Sequence, residues 1–214
     1  MKKVILSLVL AFTVFTLSAQ SSNFEKAMTD LVNQIEQVMP TDLYQPLTNK
    51  MERIAAAEKE QWLPNYWVAY CYTGDSFKLE NPGEKVQLLD IADEYMEKAV
   101  LLGGEKNAEL EILKAHMASA RMSIDPMNRF QEYGGKFQSA LTTAMVYDSE
   151  NPRAYYLQAM NAYFTPENFG GGHVKAKPIF ETALEKFNNF KSESKMHPNW
   201  GFYESTYFLS EINK

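Results

Sequence analysis

The sequence predicts an all-α protein built as an array of helical hairpins. Three observations carry this. Apolar residues recur every three to four positions over most of the 214 residues, the spacing of a helix buried along one face. No alternating apolar run bounded by hairpin turns occurs, so nine or so helices and no strand are expected. One junction, a helix closed by a turn and reopened by a second helix, occurs four times. Its clearest copy is FQSALTTAMVYDSENPRAYYLQAMNAYF, residues 137–164.

The first residues are set apart. Met1-Lys2-Lys3, an apolar run over 4–17 and Leu17-Ser18-Ala19 before Gln20 have the layout of a secretory signal peptide over 1–19. The run is short for a membrane span of about 20 apolar residues. The mature domain, 20–214, is expected in the periplasm or secreted, and not as an integral membrane protein.

Ser21 or Ser22 caps a first helix with the stripe Phe24, Ala27, Met28, Leu31, Ile35 and Val38, which Pro40 ends. Thr41 or Asp42 caps a second over 43–60, with Leu47, Met51, Ile54 and Ala55 inward. An aromatic helix opens near Pro64 and gives way to a loop over 74–83, where Asn81-Pro82-Gly83 is a turn signal. A helix over 84–102 stops at Gly103-Gly104. Asn107 opens the next, and Asp125-Pro126 breaks it. Helices follow over 129–147, weakened by Gly134-Gly135, and from Pro152 to Phe164. A loop over 165–172, with Phe164 and Phe169 able to fold back under the preceding helix, leads to helices over 174–190 and 199–212.

Met51, Met96, Phe137 and Phe180 anchor the second helix of each unit, at spacings of 45, 41 and 43 residues. Three residues on stand Ile54, Ala99, Ala140 and Ala183. A small residue there lets a neighbouring helix approach, so each hairpin buries its face on the next. Over 139–164, Ala140, Asn151-Pro152, Tyr156, Ala159 and Tyr163 stand where the tetratricopeptide repeat motif has its small, proline, aromatic and small residues. The chain resembles that family; residues 180–202 match in part, and the other two units depart more. Every unit exceeds the usual period, the excess falling in loops. The resemblance implies a right-handed superhelix of hairpins with a concave face. The loop FTPENFGGG, 164–172, is also similar to one in secreted bacterial repeat proteins, some of them accessory to solute transport.

Composition narrows the function. The formal charge of −6 becomes −8 once Lys2 and Lys3 are removed, which argues against nucleic acid as partner. Cys71 is the sole cysteine, so no internal disulfide forms, and its apolar helix marks it as a packing residue. His116, His173 and His197 lie 57 and 24 residues apart, without ligand spacing. His116 reads as a packed or half-exposed core residue and His173 as a helix-start residue. Gly170-Gly171-Gly172 lacks the strand and lysine of a phosphate loop. Ser192 and Lys195 have Ser-x-x-Lys spacing without its companion motifs. Asp90, Asp93, Glu94 and Glu97 read as a solvated helix face. No catalytic residue, metal site or cofactor is expected, and the protein is not read as an enzyme.

The aromatic residues are the functional lead. First helices of hairpin arrays line the concave side, and here they are rich in tyrosine and tryptophan, which are favoured in interfaces. Tyr66, Tyr70, Tyr155, Asn161, Tyr203 and Tyr207 are the expected groove residues. The expected function is a scaffold binding a protein or peptide there. The alternative is a small-ligand binder, accessory to envelope transport, with an aromatic pocket. A third, an enzyme with scattered residues, would need histidines and carboxylates gathered in one cleft.

Overall fold

The computed structural model describes residues 23–38 and 42–214. The signal peptide over 1–19, the caps at Ser21, Ser22 and Thr41 and the helix end at Pro40 lie outside the described residues. The regular structure of the described residues is all helical, with no strand among them. In order they are α1 (23–35), α2 (Gln45–Ala57), α3 (Trp62–Lys78), α4 (Pro82–Leu102), α5 (Ala108–Ser123) and α6 (Pro126–Arg129). A π-helical turn, Phe130–Gly134, joins α6 to α7 (Gly135–Tyr147). Then follow α8 (Pro152–Phe164), a 3-10 turn (Glu167–Phe169), α9 (His173–Asn189) and α10 (Phe202–Ile212).

The starts of the helices follow local chemistry. Asn81 accepts from the amides of Gly83 and Glu84, Asn107 from those of Glu109 and Leu110, and Asn151 from that of Arg153. Each satisfies an amide that the first turn leaves open, for about 1 kcal/mol. The expected turn at Asn81-Pro82-Gly83 is therefore a helix start, with proline at its first position.

Helix α3 runs on to Lys78, where the sequence reading placed a loop from Gly74. The reason is tertiary. A Cβ on Gly74 would stand 2.6 Å from Cε2 of Tyr44, so glycine is what lets this ring lie flat on the helix. One residue on, buried Asp75 accepts the amide of Tyr44 at 2.7 Å and so caps α2 from another helix. Burial raises the Asp75 pKa, and the Tyr44 amide and Lys78 pull against that rise. Helix α2 is shorter than expected, ending at Ala57. In α1 the buried face is Met28, Leu31, Val32 and Ile35, while Ala27 is exposed.

Helices pair as hairpins, α3 with α4, α5 with α7 and α8 with α9. The first members also meet in sequence, α3 on α5 and α5 on α8; α2 packs on α3, and α10 on α9. The four anchors Met51, Met96, Phe137 and Phe180 are all buried, as are Ala99, Ala140 and Ala183. Ile54 is half-buried. Cys71 is fully buried, and burial pushes its thiol pKa up, which leaves it unreactive.

The chain between α9 and α10 lies across α3. Trp67 Nε1 donates to the Met196 carbonyl at 2.8 Å, and Trp200 Nε1 to the Tyr66 hydroxyl at 2.9 Å. Helix α10 starts at Phe202 rather than 199, because Gly201 turns with φ +104° and holds Trp200 inward. Half-buried His116 sits among Tyr70, Phe77 and Trp200, with ring centroids 5.2 to 6.0 Å apart where they meet. Burial lowers the His116 pKa to about 4, so the imidazole is neutral at ordinary pH.

Two predictions follow from this packing. Gly201→Ala places a Cβ 3.0 Å from Phe187 Cζ and 3.2 Å from Tyr156 Cδ1, in a left-handed backbone. It is expected to lower stability in urea by about 2 kcal/mol; an unchanged midpoint would contradict this account of the turn. For His116, the unfolded chain takes up a proton from about pH 6.5 downward and the folded chain only near pH 4. The stabilisation is complete above 6.5 and is lost as pH falls toward 4. Thermal melts of His116→Gln should therefore decline less steeply than wild type across that window; parallel curves would refute the buried neutral imidazole.

Candidate functional site

A cleft of about 600 Å³ opens between α4, α5 and the turn that leads into α7. Its residues follow helical spacing. Helix α5 contributes Lys114, Met117, Ala118 and Arg121 at i, i+3, i+4 and i+7, one face of a helix. Helix α4 adds Asp93 and Met96. The π turn and α7 add Tyr133, Lys136, Ser139 and Ala140.

The floor is apolar and close-packed. Met96, Met117, Ala118 and Ala140 each keep only 4 to 8% of their surface exposed. The small Ala118 and Ala140, with Ser139 and Gly135, leave the space that larger side chains would fill. Methionine adapts to flat or irregular partners and makes favourable contacts with aromatic rings. The π turn brings half-buried Tyr133 to the edge, its ring 4.7 Å from Lys136 Nζ. Such turns interrupt a regular helix at a cost and are frequent at functional sites.

The rim is charged. Arg121 joins Asp90 at 2.8 Å and also bonds Asp93. Burial works against the Arg121 charge, but the two carboxylates outweigh it and raise its pKa. Lys136 bonds Glu132 at 2.6 Å, which raises the lysine and lowers the carboxyl. Lys114 bonds Glu111, also at 2.6 Å.

A second cleft of similar volume lies where the α4–α5 and α7–α8 loops meet the 190–198 segment. It is lined by Trp62, Phe190 and His197 among many polar groups, and by Lys106, whose φ of +60° is unusual for a non-glycine residue. Glu109 and Asn151 also line it, and Glu109 pairs there with the buried Arg153. Arg153 Nε donates to Glu109 at 2.9 Å, Nη2 makes a second bond to that carboxylate, and Asn151 Nδ2 donates to it at 2.6 Å.

The six residues expected in a groove do not gather in one. Tyr66 and Tyr70 are in the core, against Trp200. Burial raises both phenols well above their ordinary pKa. Tyr155 is half-buried, its hydroxyl donating to the Ser149 carbonyl at 3.0 Å. Asn161 is half-buried, and its carbonyl accepts from Thr165. Tyr203 and Tyr207 are exposed on α10. None of the six lines either cleft. The physical reason is Trp200, which fills the first-helix side from a segment that the sequence reading counted as helix.

Other expectations are placed as follows. His173 starts α9 and stacks on Tyr163 at 4.6 Å, while Phe164 and Phe169 stay exposed rather than folding under the helix. Ser192, of the Ser-x-x-Lys spacing, donates to the Ser194 carbonyl at 2.9 Å, and the Ser194 hydroxyl meets His197 at 2.8 Å and accepts the Met196 amide, all within a local turn. No metal-binding cluster of histidine, cysteine and carboxylate groups occurs among the described residues. No helix among them is long and apolar enough to cross a membrane. The cleft residues Met117, Arg121 and Lys136 were missed. The signal available was the spacing of Lys114, Met117, Ala118 and Arg121, which mixes charge with apolar residues on one helix face.

No protein-family model matches the sequence, and no curated protein matches it. Among solved structures, the chain is similar to the HusA haemophore from Porphyromonas gingivalis, with a TM-score of 0.76 and 33% identity. The match covers 88% of this chain and 92% of that one. Identity at this level, over nearly the whole of both chains and on one fold, places the chain in the same family as that haemophore.

Proposed function

We propose that this protein is an exported small-ligand carrier that binds a porphyrin of the haem class in the cleft between α4, α5 and α7. The observation that carries the reading is the 33% identity with a haemophore over 92% of its length. The cleft suits such a ligand. A porphyrin is a flat apolar ring with acidic side arms, and the cleft offers an apolar floor with cations at its rim. The signal-peptide layout of residues 1–19 fits export. Binding, not catalysis, is the role proposed.

The peptide-groove reading has less support, because Tyr66 and Tyr70 are in the core. A protein partner still belongs to the proposal, since a carrier must pass its cargo on. The hairpins α3–α4, α5–α7 and α8–α9 are proposed as tetratricopeptide-like repeats. The burial of the four equivalent anchors supports this.

The test is a titration of residues 20–214 with haemin, followed in the Soret band. Saturable binding with a dissociation constant of about 1 μM or tighter is expected. No Soret change at about 50 μM protein would overturn the reading. Ser139→Trp, an exposed position at the cleft, tests the location. It should weaken binding by about tenfold or more, or roughly 1.4 kcal/mol, with helicity unchanged. Undiminished binding by that variant would move the ligand elsewhere.

A further inference from the structure

The three cations at this cleft are not equivalent. Arg121 has 13% of its side chain exposed and is held by two carboxylates of α4, Asp90 and Asp93. Both bonds come from one nitrogen, Nη2, and they fix Arg121 as the tie between α5 and α4. Lys114 and Lys136 are 40% and 59% exposed, and each is tied to one carboxylate a turn away on its own helical segment, Glu111 or Glu132. The Lys136–Glu132 pair is exposed on both sides and so weak, while Lys114 is the open partner of a Glu111 that is 18% exposed. An ammonium also has three donors, so either lysine can keep its glutamate and bind a second carboxylate.

Their positions matter as much as their freedom. Lys114 stands on α5 and Lys136 on α7, and the apolar floor of Met117, Ala118 and Ala140 adjoins both. The other charges at the cleft are Asp93, which shares Arg121 with Asp90, and Glu111, bound to Lys114. Arg129 adds positive charge beside Tyr133. A ligand that is apolar in its plane and anionic at two separate arms would meet a matching surface here. A ligand without those charges would meet only the floor.

We propose that Lys114 and Lys136 each bind one carboxylate of a dicarboxylate porphyrin, and so select the free acid over neutral porphyrins of the same ring. This rests on the porphyrin reading above. The selection works through charge, and it is therefore weakened by salt.

The experiment compares metal-free protoporphyrin IX with its dimethyl ester, titrated into residues 20–214 and followed by quenching of tryptophan fluorescence. Wild type should bind the acid about tenfold more tightly than the ester. Lys114→Gln/Lys136→Gln should lose that preference while keeping its affinity for the ester, with helicity unchanged. An equal preference in wild type and the double variant would overturn the assignment of the lysines. So would a loss of acid and ester alike, which would mean a general disturbance of the cleft. If wild type bound neither porphyrin, the reading of function would fail and the lysine assignment with it.

Discussion

Helix α3 has no solvent face from Leu63 to Thr73. This stretch is buried without a break, so neighbours must cover every side. Among these residues, Tyr66 and Trp67 have polar tips that cannot be left unpaired in the interior. Their partners come from the far end of the chain, more than 120 residues away: the Met196 carbonyl and the Trp200 indole. Those two bonds bring the 190–201 segment down onto α3. The same act fills the side where an open hairpin array would have its groove. A constraint on one helix thus decides which surface of the molecule remains for a ligand.

The buried pair of Arg153 and Glu109 serves the same closure from the other side. It joins the starts of α5 and α8, and Asn151 gives Glu109 a further bond while capping α8. The Arg153 side chain is wholly buried and its Cζ lies 4.5 Å from the Phe190 ring centroid, so the segment leading to Trp200 leans on it. Its Nη1 has no partner. A buried pair with one unpaired donor is not a strong source of stability, because desolvation offsets much of the attraction. Its contribution is geometric: it fixes the two helix starts against each other and keeps Phe190 and Trp200 in register.

Much of the fold was legible in the sequence because its signals are local. Asn107 and Asn151 open helices as their types suggest, the anchors Met51, Met96, Phe137 and Phe180 are buried, and Asn81 and Asp125, which read as a turn and a break, cap helices as well. Periodicity and capping are properties of a few neighbouring residues. What was not legible depends on distant ones. Gly74 looked like a loop residue, and only the Tyr44 ring explains it as a helical one. Tyr66 and Tyr70 looked like groove residues, because aromatic residues on first helices read alike whether they face water or each other. The cleft was hidden for a related reason. Met96 was read correctly as a packing residue, and nothing in its spacing shows that the space beside it is left unfilled by Ala118, Ser139 and Ala140.

The placement of that cleft bears on what a carrier requires. A ligand enclosed by α3 would have to break the Tyr66–Trp200 and Trp67–Met196 contacts to enter or leave, and with them the core. The cleft on α5 lies outside that closure. Its floor is fixed by α4, α5 and α7, and its rim is fixed only where Arg121 ties α5 to α4. Lys114 and Lys136 can shift between partners without moving a helix, since each holds a glutamate on its own helical segment. On the proposed reading, affinity comes from a rigid apolar floor and release from weak exchangeable ion pairs. One face of a flat ligand would be covered and the other would remain open to whatever receives it. On the same reading, separating the closed aromatic core from the open cleft would let one chain be stable without the ligand and still give the ligand up.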